Sequence, residues 1–231
     1  MQVVILAGGL GTRLGPLTAD LPKPLVPVNG TPFLAHVFAL LKQHGLTRSL
    51  VLHGYQGHKL EDAFGNGSQL GVEVSYRHDG SCLLGTGGAL RNALDLLDRE
   101  FLVLYGDTYL DIDYRAVVSA FRDSGKPSLM TVLRNQGRWD TSNVIFRDGQ
   151  LLAYDKHNRV LEMEYIDYGL ACLRRDVVEE LPANQVSDLA HLYSRLVREG
   201  RMAGFEVSRR FYEIGTPQGL VETERYLASR A

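Results

Sequence analysis

The sequence predicts an α/β fold with a mainly parallel sheet in its first half and a mixed sheet behind it. Three observations carry this prediction. Up to about residue 125, short apolar runs alternate with helical patterns at the spacing that crossover helices require. The first run, Val3 to Leu6, is continuously aliphatic, as in a strand buried on both faces. From residue 128 onward, several strand patterns follow one another with short connections.

The first half is predicted to hold four strands and their crossover helices. After the opening strand, Thr31 and Pro32 predict a helix N-cap followed by proline at the first helical position. That helix carries an apolar stripe and ends at Gly45; the stripe consists of Phe33, Leu34, Val37, Phe38 and Leu41. The other elements are strands at 49–54, 71–76 and 101–107 and helices at 57–64, 87–98 and 113–121. Asp113 is the predicted cap of the last helix.

The second half is predicted to be strand-rich before helices return. Strands are expected at 128–134, 143–146, 150–154 and 168–173, with a turn at Asp148-Gly149. A helical face follows, formed by Val186, Leu189, Leu192, Tyr193, Leu196 and Val197. A final helix begins after Gly215-Thr216-Pro217. We find no repeat and no linker-like composition, and therefore predict a single domain over 1–231.

Composition narrows the classes of function. The 231 residues are 45% hydrophobic and 23% charged, with a formal net charge of −2, so the chain has no general positive field for nucleic acid or an anionic membrane. No apolar run reaches membrane-spanning length. Cys82 and Cys172 form neither a disulfide framework nor a zinc spacing, which favours a cytoplasmic setting. We expect small-molecule ligands, with any anion bound by local cations.

A glycine-rich loop follows the first strand. Gly8, Gly9 and Gly11 let several backbone N–H groups point at one spot, which attracts phosphate oxygens. The loop lacks the Gly-Lys-Ser/Thr tripeptide of P-loop nucleotide hydrolases, and Leu14 stands where a dinucleotide-binding turn needs its third glycine. An ordinary strand-to-helix turn is the structural alternative.

Two cations lie in or just beyond this loop. The guanidinium group of Arg13 is planar and permanently charged. It suits a triphosphate better than the pyrophosphate of a dinucleotide, which backbone groups bind. Lys23 stands between Pro22 and Pro24, which restrict the backbone on either side. The alternative for Lys23 is an exposed loop lysine. The loop and its two cations predict a phosphate-binding site.

These residues resemble a known family. The stretch LAGGLGTRLGPLTADLPKPLVPVNGTPFL is similar to the N-terminal signature of the sugar-1-phosphate nucleotidylyltransferases. Further segments resemble later family elements in the family's order: LLGTGGAL (83–90), LYGD (104–107), YDK (154–156), IDYGL (166–170) and YEIGTPQGL (212–220). The resemblance therefore covers nearly the whole chain.

The resemblance implies a fold and a reaction. The fold is a three-layer, Rossmann-like sheet of the GT-A-like class, with a nucleotide-binding half over about 1–125 and a sugar-binding half over about 126–231. The reaction is Mg²⁺-dependent transfer of a nucleotidyl group from a nucleoside triphosphate to a sugar 1-phosphate, with release of pyrophosphate. The nearest likeness is to enzymes that activate manno-heptose 1-phosphate with GTP for cell-surface polysaccharides. UTP with N-acetylmuramate 1-phosphate or a hexose 1-phosphate is the alternative, and a homo-oligomer is compatible with either.

The resemblance also assigns roles to individual residues. Arg13 and Lys23 are catalytic, and Asp107 and Glu213 bind the metal. The nucleotide-binding set is Leu6, Ala7, Gly8, Gly9, Gly11, Thr12, Gly85, Thr86 and Gly87. The sugar-phosphate set is Asn143, Lys156, Tyr168 and Gly169. Glu213 departs from the family's usual aspartate by one methylene.

A different class of function rests on Asp111 and Asp113. Asp-x-Asp is the metal motif of many glycosyltransferases, and both side chains share one face of an extended segment. The structural alternative, which we favour, is that Asp113 caps the following helix and Asp111 is solvated. A third class, a non-catalytic sensor, is disfavoured by the intact set of Arg13, Lys23, Asp107 and Glu213.

Overall fold

A computed structural model describes residues 1–9, 11–18, 20–80 and 82–230. The chain divides into two compact units, each assembled from separate chain segments. The first unit consists of Met1–Leu83, Leu104–Asp111 and Phe211–Ala231. The second consists of Leu84–Val103 and Ile112–Arg210.

Strands and helices alternate in the first half of the chain, and strands dominate the middle of the second half. The strands are β1 Gln2–Leu6, β2 Pro27–Val28, β3 Thr31–Pro32, β4 Arg48–His53, β5 Glu73–His78, β6 Glu100–Tyr105, β7 Thr108–Tyr109, β8 Ser128–Arg134, β9 Val144–Arg147, β10 Gln150–Tyr154, β11 Tyr165–Arg174, β12 Met202–Val207 and β13 Tyr212–Glu213. The helices are α1 Phe33–Gln43, α2 His58–Phe64, α3 Gly85–Asn92, α4 Tyr114–Asp123, α5 Arg175–Glu179, α6 Leu189–Arg198 and α7 Pro217–Ala228.

The first unit contains the predicted parallel strands. β1 pairs with β4 and β4 pairs with β5, both in parallel, with Val3 opposite Ser49 and Ser49 opposite Val74. All five residues of β1 are buried, as its unbroken aliphatic run predicts. The stripe of α1 is buried throughout, and Gly45, at φ +75°, ends that helix as predicted.

The predicted start of α1 is wrong by one residue. Thr31 and Pro32 form β3, which pairs with β2 through an Asn29-Gly30 turn in which both residues have positive φ. Pro32 is therefore the residue before the helix, with ψ 133°, and it has no side-chain cap. The local hairpin takes Thr31 away from the capping position.

The second unit contains the predicted mixed sheet. β8 pairs antiparallel with β11 and parallel with β12, and β9 pairs antiparallel with β10 and β11. Asp148 and Gly149 both have positive φ, as a tight two-residue hairpin turn requires. The β12 strand was not predicted.

Two helix predictions need correction. The helix predicted at 87–98 is α3, Gly85–Asn92, followed by a separate short 3₁₀ turn at Leu94–Leu96. Val186 was predicted on the buried face of the next helix, but it precedes α6 and is 71% exposed. The other five residues of that face are buried. Among the described residues, no helix combines the length and hydrophobicity that a bilayer crossing requires.

Candidate functional site

The glycine-rich loop begins where β1 ends. Leu6 and Ala7 are buried, and the Ala7 N–H still donates to the Leu52 carbonyl at 2.7 Å. At the other end, the Thr18 hydroxyl donates to the Gly11 carbonyl at 2.9 Å. Thr12–Thr18 forms two short 3₁₀ turns separated by a kink at Gly15, which has φ 57°. Gly11 has φ +66°, a conformation that glycine tolerates best. Thr18 thus closes the loop into a compact turn.

Gly8 and Gly9 differ in their surroundings. A Cβ added at Gly8 would lie 3.5 Å from Asp79 Oδ2, so the loop approaches the residue that follows β5. A Cβ added at Gly9 would meet no atom of the described residues within 4 Å. Gly9 itself is exposed.

Arg13 is exposed, whereas the next residue, Leu14, is 3% exposed. The apolar side chain at position 14 anchors the 3₁₀ segment in the core, and the guanidinium projects outward. Arg13 Nη2 lies 3.5 Å from the point that a Cβ on Gly215 would occupy. The loop cation is thereby brought beside the segment that contains Glu213.

Lys23 is held in place by both its backbone and an ion pair. It begins a short 3₁₀ turn, Lys23–Leu25, with Pro24 buried. Its Nζ lies 2.8 Å from Asp107 Oδ2, and the two side chains are 12% and 29% exposed. Lys23 is thus packed against Asp107 and does not extend freely into solvent.

Asp107 and Glu213 are brought together by a small strand pair. β7 and β13 run antiparallel with Thr108 opposite Glu213, and the Ile214 N–H donates to the Asp107 carbonyl at 3.0 Å. The Glu213 carboxylate accepts from Gly215 N–H at 2.5 Å and from the Thr216 hydroxyl at 3.0 Å. Thr216 is the N-cap of α7, so this carboxylate lies at the positive end of a helix.

The donor chemistry of this pair fits a magnesium ion. Both side chains offer hard carboxylate oxygens, Glu213 from β13 and Asp107 from the residue that precedes its partner strand β7. Within the described ranges, no group of three or more His, Cys, Asp or Glu side chains is arranged to hold a metal. Magnesium commonly binds through one or two carboxylates together with substrate phosphates and water. The pair therefore suits an ion that arrives with phosphate ligands.

The three predicted nucleotide residues of the second unit form the start of α3. Gly85 has φ +71°, and a Cβ there would lie 2.6 Å from the Ser187 carbonyl oxygen. The Thr86 hydroxyl donates to Asp188 Oδ1 at 3.1 Å and accepts from the Leu189 N–H at 2.9 Å. The Gly87 N–H donates to the Ser187 carbonyl. These residues join α3 to the start of α6.

The predicted sugar-phosphate residues meet around the middle of β11. Asn143 Oδ1 accepts from the Asp167 N–H at 2.9 Å, and the Gly169 N–H donates to Asp167 Oδ1 at 3.0 Å. Tyr168 is buried, and its hydroxyl donates to the Arg210 carbonyl at 3.3 Å. The pairing register with β8 shifts between Asp167 and Ala171, and Gly169 lies within this irregular stretch.

Lys156 supplies a partly exposed cation in the second unit. Its Nζ lies 3.4 Å from Asp188 Oδ2, and its side chain is 52% exposed. Its positive charge lowers the pKa of the Asp167 carboxyl. Burial of Asp167 raises the same pKa by a larger amount. The lysine is accessible enough to exchange Asp188 for a ligand anion.

Asp167 is a candidate site residue that the sequence analysis did not identify. Burial raises the pKa of this carboxyl to about 6, opposed by the Gly169 N–H and by Lys156. The signal was available, because an aspartate inside an otherwise apolar strand must have a polar partner. It lies between two predicted sugar-phosphate residues, Asn143 and Gly169.

Asp111 and Asp113 do not form a metal pair. Asp111 is buried and accepts from the Tyr226 hydroxyl and from Arg230. Asp113 caps α4, accepting from the N–H groups of Arg115 and Ala116. The cap prediction is confirmed, whereas Asp111 was expected to be solvated and is not.

Comparison with known proteins places the chain among nucleotidyl transferases. A family model described as nucleotidyl transferase matches residues 2–143. An N-acetylmuramate α-1-phosphate uridylyltransferase from Neisseria meningitidis serogroup B is 30% identical, over 97% of this chain and 97% of its own. A D-glycero-α-D-manno-heptose 1-phosphate guanylyltransferase from Campylobacter jejuni is 27% identical, over 94% of this chain and 96% of its own. A UTP–glucose-1-phosphate uridylyltransferase from Synechocystis is 29% identical over 87% of this chain, which spans 56% of its length.

Solved structures agree on the fold. HddC from Yersinia pseudotuberculosis complexed with GMP-PN is 25% identical, with a TM-score of 0.81 over 98% of this chain and 99% of that chain. An inositol-1-phosphate CTP transferase from T. maritima is 20% identical, with a TM-score of 0.79 over 98% of this chain and 94% of that chain, a likeness of fold alone. The predicted α/β fold of the GT-A-like class is confirmed.

Proposed function

Because the chain belongs to the nucleotidyl transferase family, we propose that it transfers a nucleotidyl group from a nucleoside triphosphate to a sugar 1-phosphate. The observation that carries this proposal is the convergence of Arg13, Lys23, Asp107 and Glu213 within the first unit. Relatives that this chain covers almost end to end are named for reactions of this type.

In this reaction the protein has to neutralise charge and to align the two substrates. A phosphate oxygen of the sugar 1-phosphate attacks the α-phosphorus, a new P–O bond forms, and the bond to the bridging oxygen of the β-phosphate breaks. Pyrophosphate leaves with that oxygen. Both reactants are anions, so no covalent protein nucleophile is needed. Arg13 and Lys23 would stabilise the charge on the triphosphate and on the departing pyrophosphate.

Asp107 and Glu213 would hold Mg²⁺. When bound, the ion supplies positive charge to the phosphate oxygens. Lys23 contacts Oδ2 of Asp107, so the other carboxylate oxygen would be the one available to the ion. Lys23 would then lie beside both the metal carboxylate and the phosphate oxygens, and its ammonium would add a second positive charge there.

The nucleotide and sugar are proposals at a finer level. We propose GTP with a manno-heptose 1-phosphate, supported by the heptose guanylyltransferase relative and by the GMP-PN complex of a fold relative of nearly equal length. UTP with N-acetylmuramate 1-phosphate is a second candidate, supported by a relative that is 30% identical over almost the whole chain.

A substrate matrix tests the proposal. The purified protein is incubated with Mg²⁺, each of the common nucleoside triphosphates and a panel of sugar 1-phosphates, and pyrophosphate release is measured. We expect release that requires both substrates, is lost in EDTA and is highest for one pairing. The Asp107→Asn variant is the matched negative control. Absence of pyrophosphate with every pairing would refute the proposed reaction.

A further inference from the structure

The C-terminal helix α7 is fastened to the first unit by a buried carboxylate. Asp111 is 6% exposed, and its Oδ2 accepts from the Tyr226 hydroxyl at 2.5 Å and from the Arg230 guanidinium. Arg230 Nη1 also donates to Tyr226 Oη at 2.8 Å. We call Asp111, Tyr226 and Arg230 the α7 clamp. Removing Tyr226 or Arg230 would take one donor from the buried Asp111 carboxylate, which is costly.

The ring of Tyr226 connects this clamp to the strand pair that bears the metal carboxylates. It stacks on Tyr212 with ring centroids 3.8 Å apart and an angle of 14°, and it meets Tyr109 edge-on at 6.2 Å. Tyr109 and Tyr212 lie directly opposite each other in the β7–β13 pair. Tyr109 lies two residues beyond Asp107, and Tyr212 immediately precedes Glu213.

The other end of α7 holds Glu213 directly. The Thr216 hydroxyl, at the N-cap, donates to Glu213 Oε1. Thr223, which is fully buried, places its hydroxyl 3.0 Å from the Glu213 carbonyl oxygen. A Cβ on Gly219 would clash with the Glu213 carboxylate, so the helix lies against this side chain without space between them. The position of Glu213 therefore depends on where α7 lies.

We propose that Asp111 is a positioning residue for Glu213, acting through Tyr226 and the rigid helix α7. The clamp fixes the C-terminal part of α7, the tyrosine stack fixes β13, and the N-terminal turn of the helix then fixes the Glu213 carboxylate. This inference rests on the proposed function, because it takes Glu213 to be a metal ligand. It gives Asp111 a role in the same chemistry without contact with metal or substrate.

Direct metal binding separates this role from ordinary stabilisation. Mn²⁺ is titrated into the nucleotide-bound protein and followed by electron paramagnetic resonance, and the Mg²⁺ activation constant is measured in the pyrophosphate assay. We expect Asp111→Asn and Tyr226→Phe to weaken Mn²⁺ binding about tenfold, as residues that orient metal ligands do. Tyr226→Phe keeps the aromatic stack and loses one hydroxyl, so it remains informative if Asp111→Asn fails to fold.

Asp113→Ala is the matched control. It removes an aspartate two residues away that caps α4, accepting from the N–H groups of Arg115 and Ala116. It is expected to lower the melting temperature and leave Mn²⁺ affinity unchanged. Lower melting temperatures for Asp111→Asn and Tyr226→Phe with wild-type Mn²⁺ affinity would overturn the positioning role.

Two further outcomes have separate meanings. If Asp107→Asn also leaves Mn²⁺ binding intact, the metal site of the proposed function is wrong, whatever the clamp variants do. If Asp111→Asn abolishes binding while Tyr226→Phe has no effect, Asp111 does not act through α7, and the positioning role is rejected.

Discussion

The charged side chains of Lys23, Asp107 and Glu213 in the first unit already have partners within the protein. Lys23 holds Asp107 at 2.8 Å, and the Glu213 carboxylate is satisfied at the start of α7. These contacts stabilise the site before any ligand arrives. A ligand that binds here has to compete with these contacts; under the proposed function a triphosphate with its metal ion would do so, whereas a single neutral sugar would not.

Arg13→Ala should lower turnover by at least about a hundredfold and leave the fold intact, because donors aimed at developing charge typically contribute that much. The side chain is exposed, so its removal opens no core cavity. Steady-state pyrophosphate release and far-UV circular dichroism check the two halves of this prediction. Arg48→Ala removes an exposed arginine with a loose ion pair to Glu73 and is the control for loss of charge alone. Near-normal turnover in Arg13→Ala would disprove the role assigned to it.

Asp167→Asn should make the protein more stable at neutral pH and change stability little in acid. Burial raises the pKa of this carboxyl from 3.8 to about 6 in the folded protein. The folded chain therefore holds the proton of Asp167 more tightly than the unfolded chain does. The stability that this proton contributes is lost as pH rises through about 6. At neutral pH the charged carboxylate costs about 3 kcal/mol, which asparagine avoids.

Urea unfolding at about pH 4 and about pH 7.5 measures this difference. The free energy of unfolding gained by Asp167→Asn over wild type should be larger at pH 7.5 than at pH 4, because the wild-type carboxylate is charged only at the higher pH. Asparagine can still accept the Gly169 N–H at both pH values. An equal difference at both pH values would show that the charge of Asp167 is not the cause.

At the level of single residues, the sequence singles out candidate side chains but does not indicate their partners. Arg13, Lys23, Asp107 and Glu213 stand out by type and by the short motifs around them. The bond between Lys23 and Asp107 spans 84 positions, and the one between Asp111 and Arg230 spans 119. Local patterns contain no information about such distant pairs.

At the scale of elements, the N-cap of α4 provides a local test. Asp113→Ala should destabilise the protein by about 1 kcal/mol, because two N–H groups of the first turn lose their acceptor. Asp113→Asn should retain most of the stability, since asparagine caps equally well. The free energy of unfolding in urea measures both variants. Full stability in Asp113→Ala would mean that water replaces the cap without cost.

The elements that were predicted well are those whose pattern is strong and local. β1 and β8 are rich in aliphatic residues, and both are almost entirely buried. β12 was missed because Gly204 and Glu206 interrupt its pattern; Gly204 is needed there because a Cβ would lie 2.5 Å from the Phe146 ring. β7 and β13 are two residues each and owe their pairing to the chain around them.

At the scale of the whole molecule, metal and nucleotide should stabilise the fold together. A non-hydrolysable triphosphate with Mg²⁺, at about a hundred times its Kd, should add about 2.7 kcal/mol. For a chain of this length that corresponds to roughly 5–10 °C in melting temperature. Mg²⁺ alone should have little effect, because magnesium usually needs substrate phosphates in addition to one or two carboxylates. A thermal-shift series with each component separately and together tests this, and an equal shift from Mg²⁺ alone would contradict it.

The first unit is closed by the last segment of the chain, Phe211–Ala231, which supplies Glu213 and α7. The second unit lies between the glycine loop and Glu213 in chain order, so a ribosome makes the loop well before Glu213. Under the proposed function, a growing polypeptide that stops before Phe211 would have the glycine loop but lack half of the carboxylate pair. Activity should therefore appear only after Glu213 and α7 have been synthesised, and chains terminated before Phe211 should be inactive.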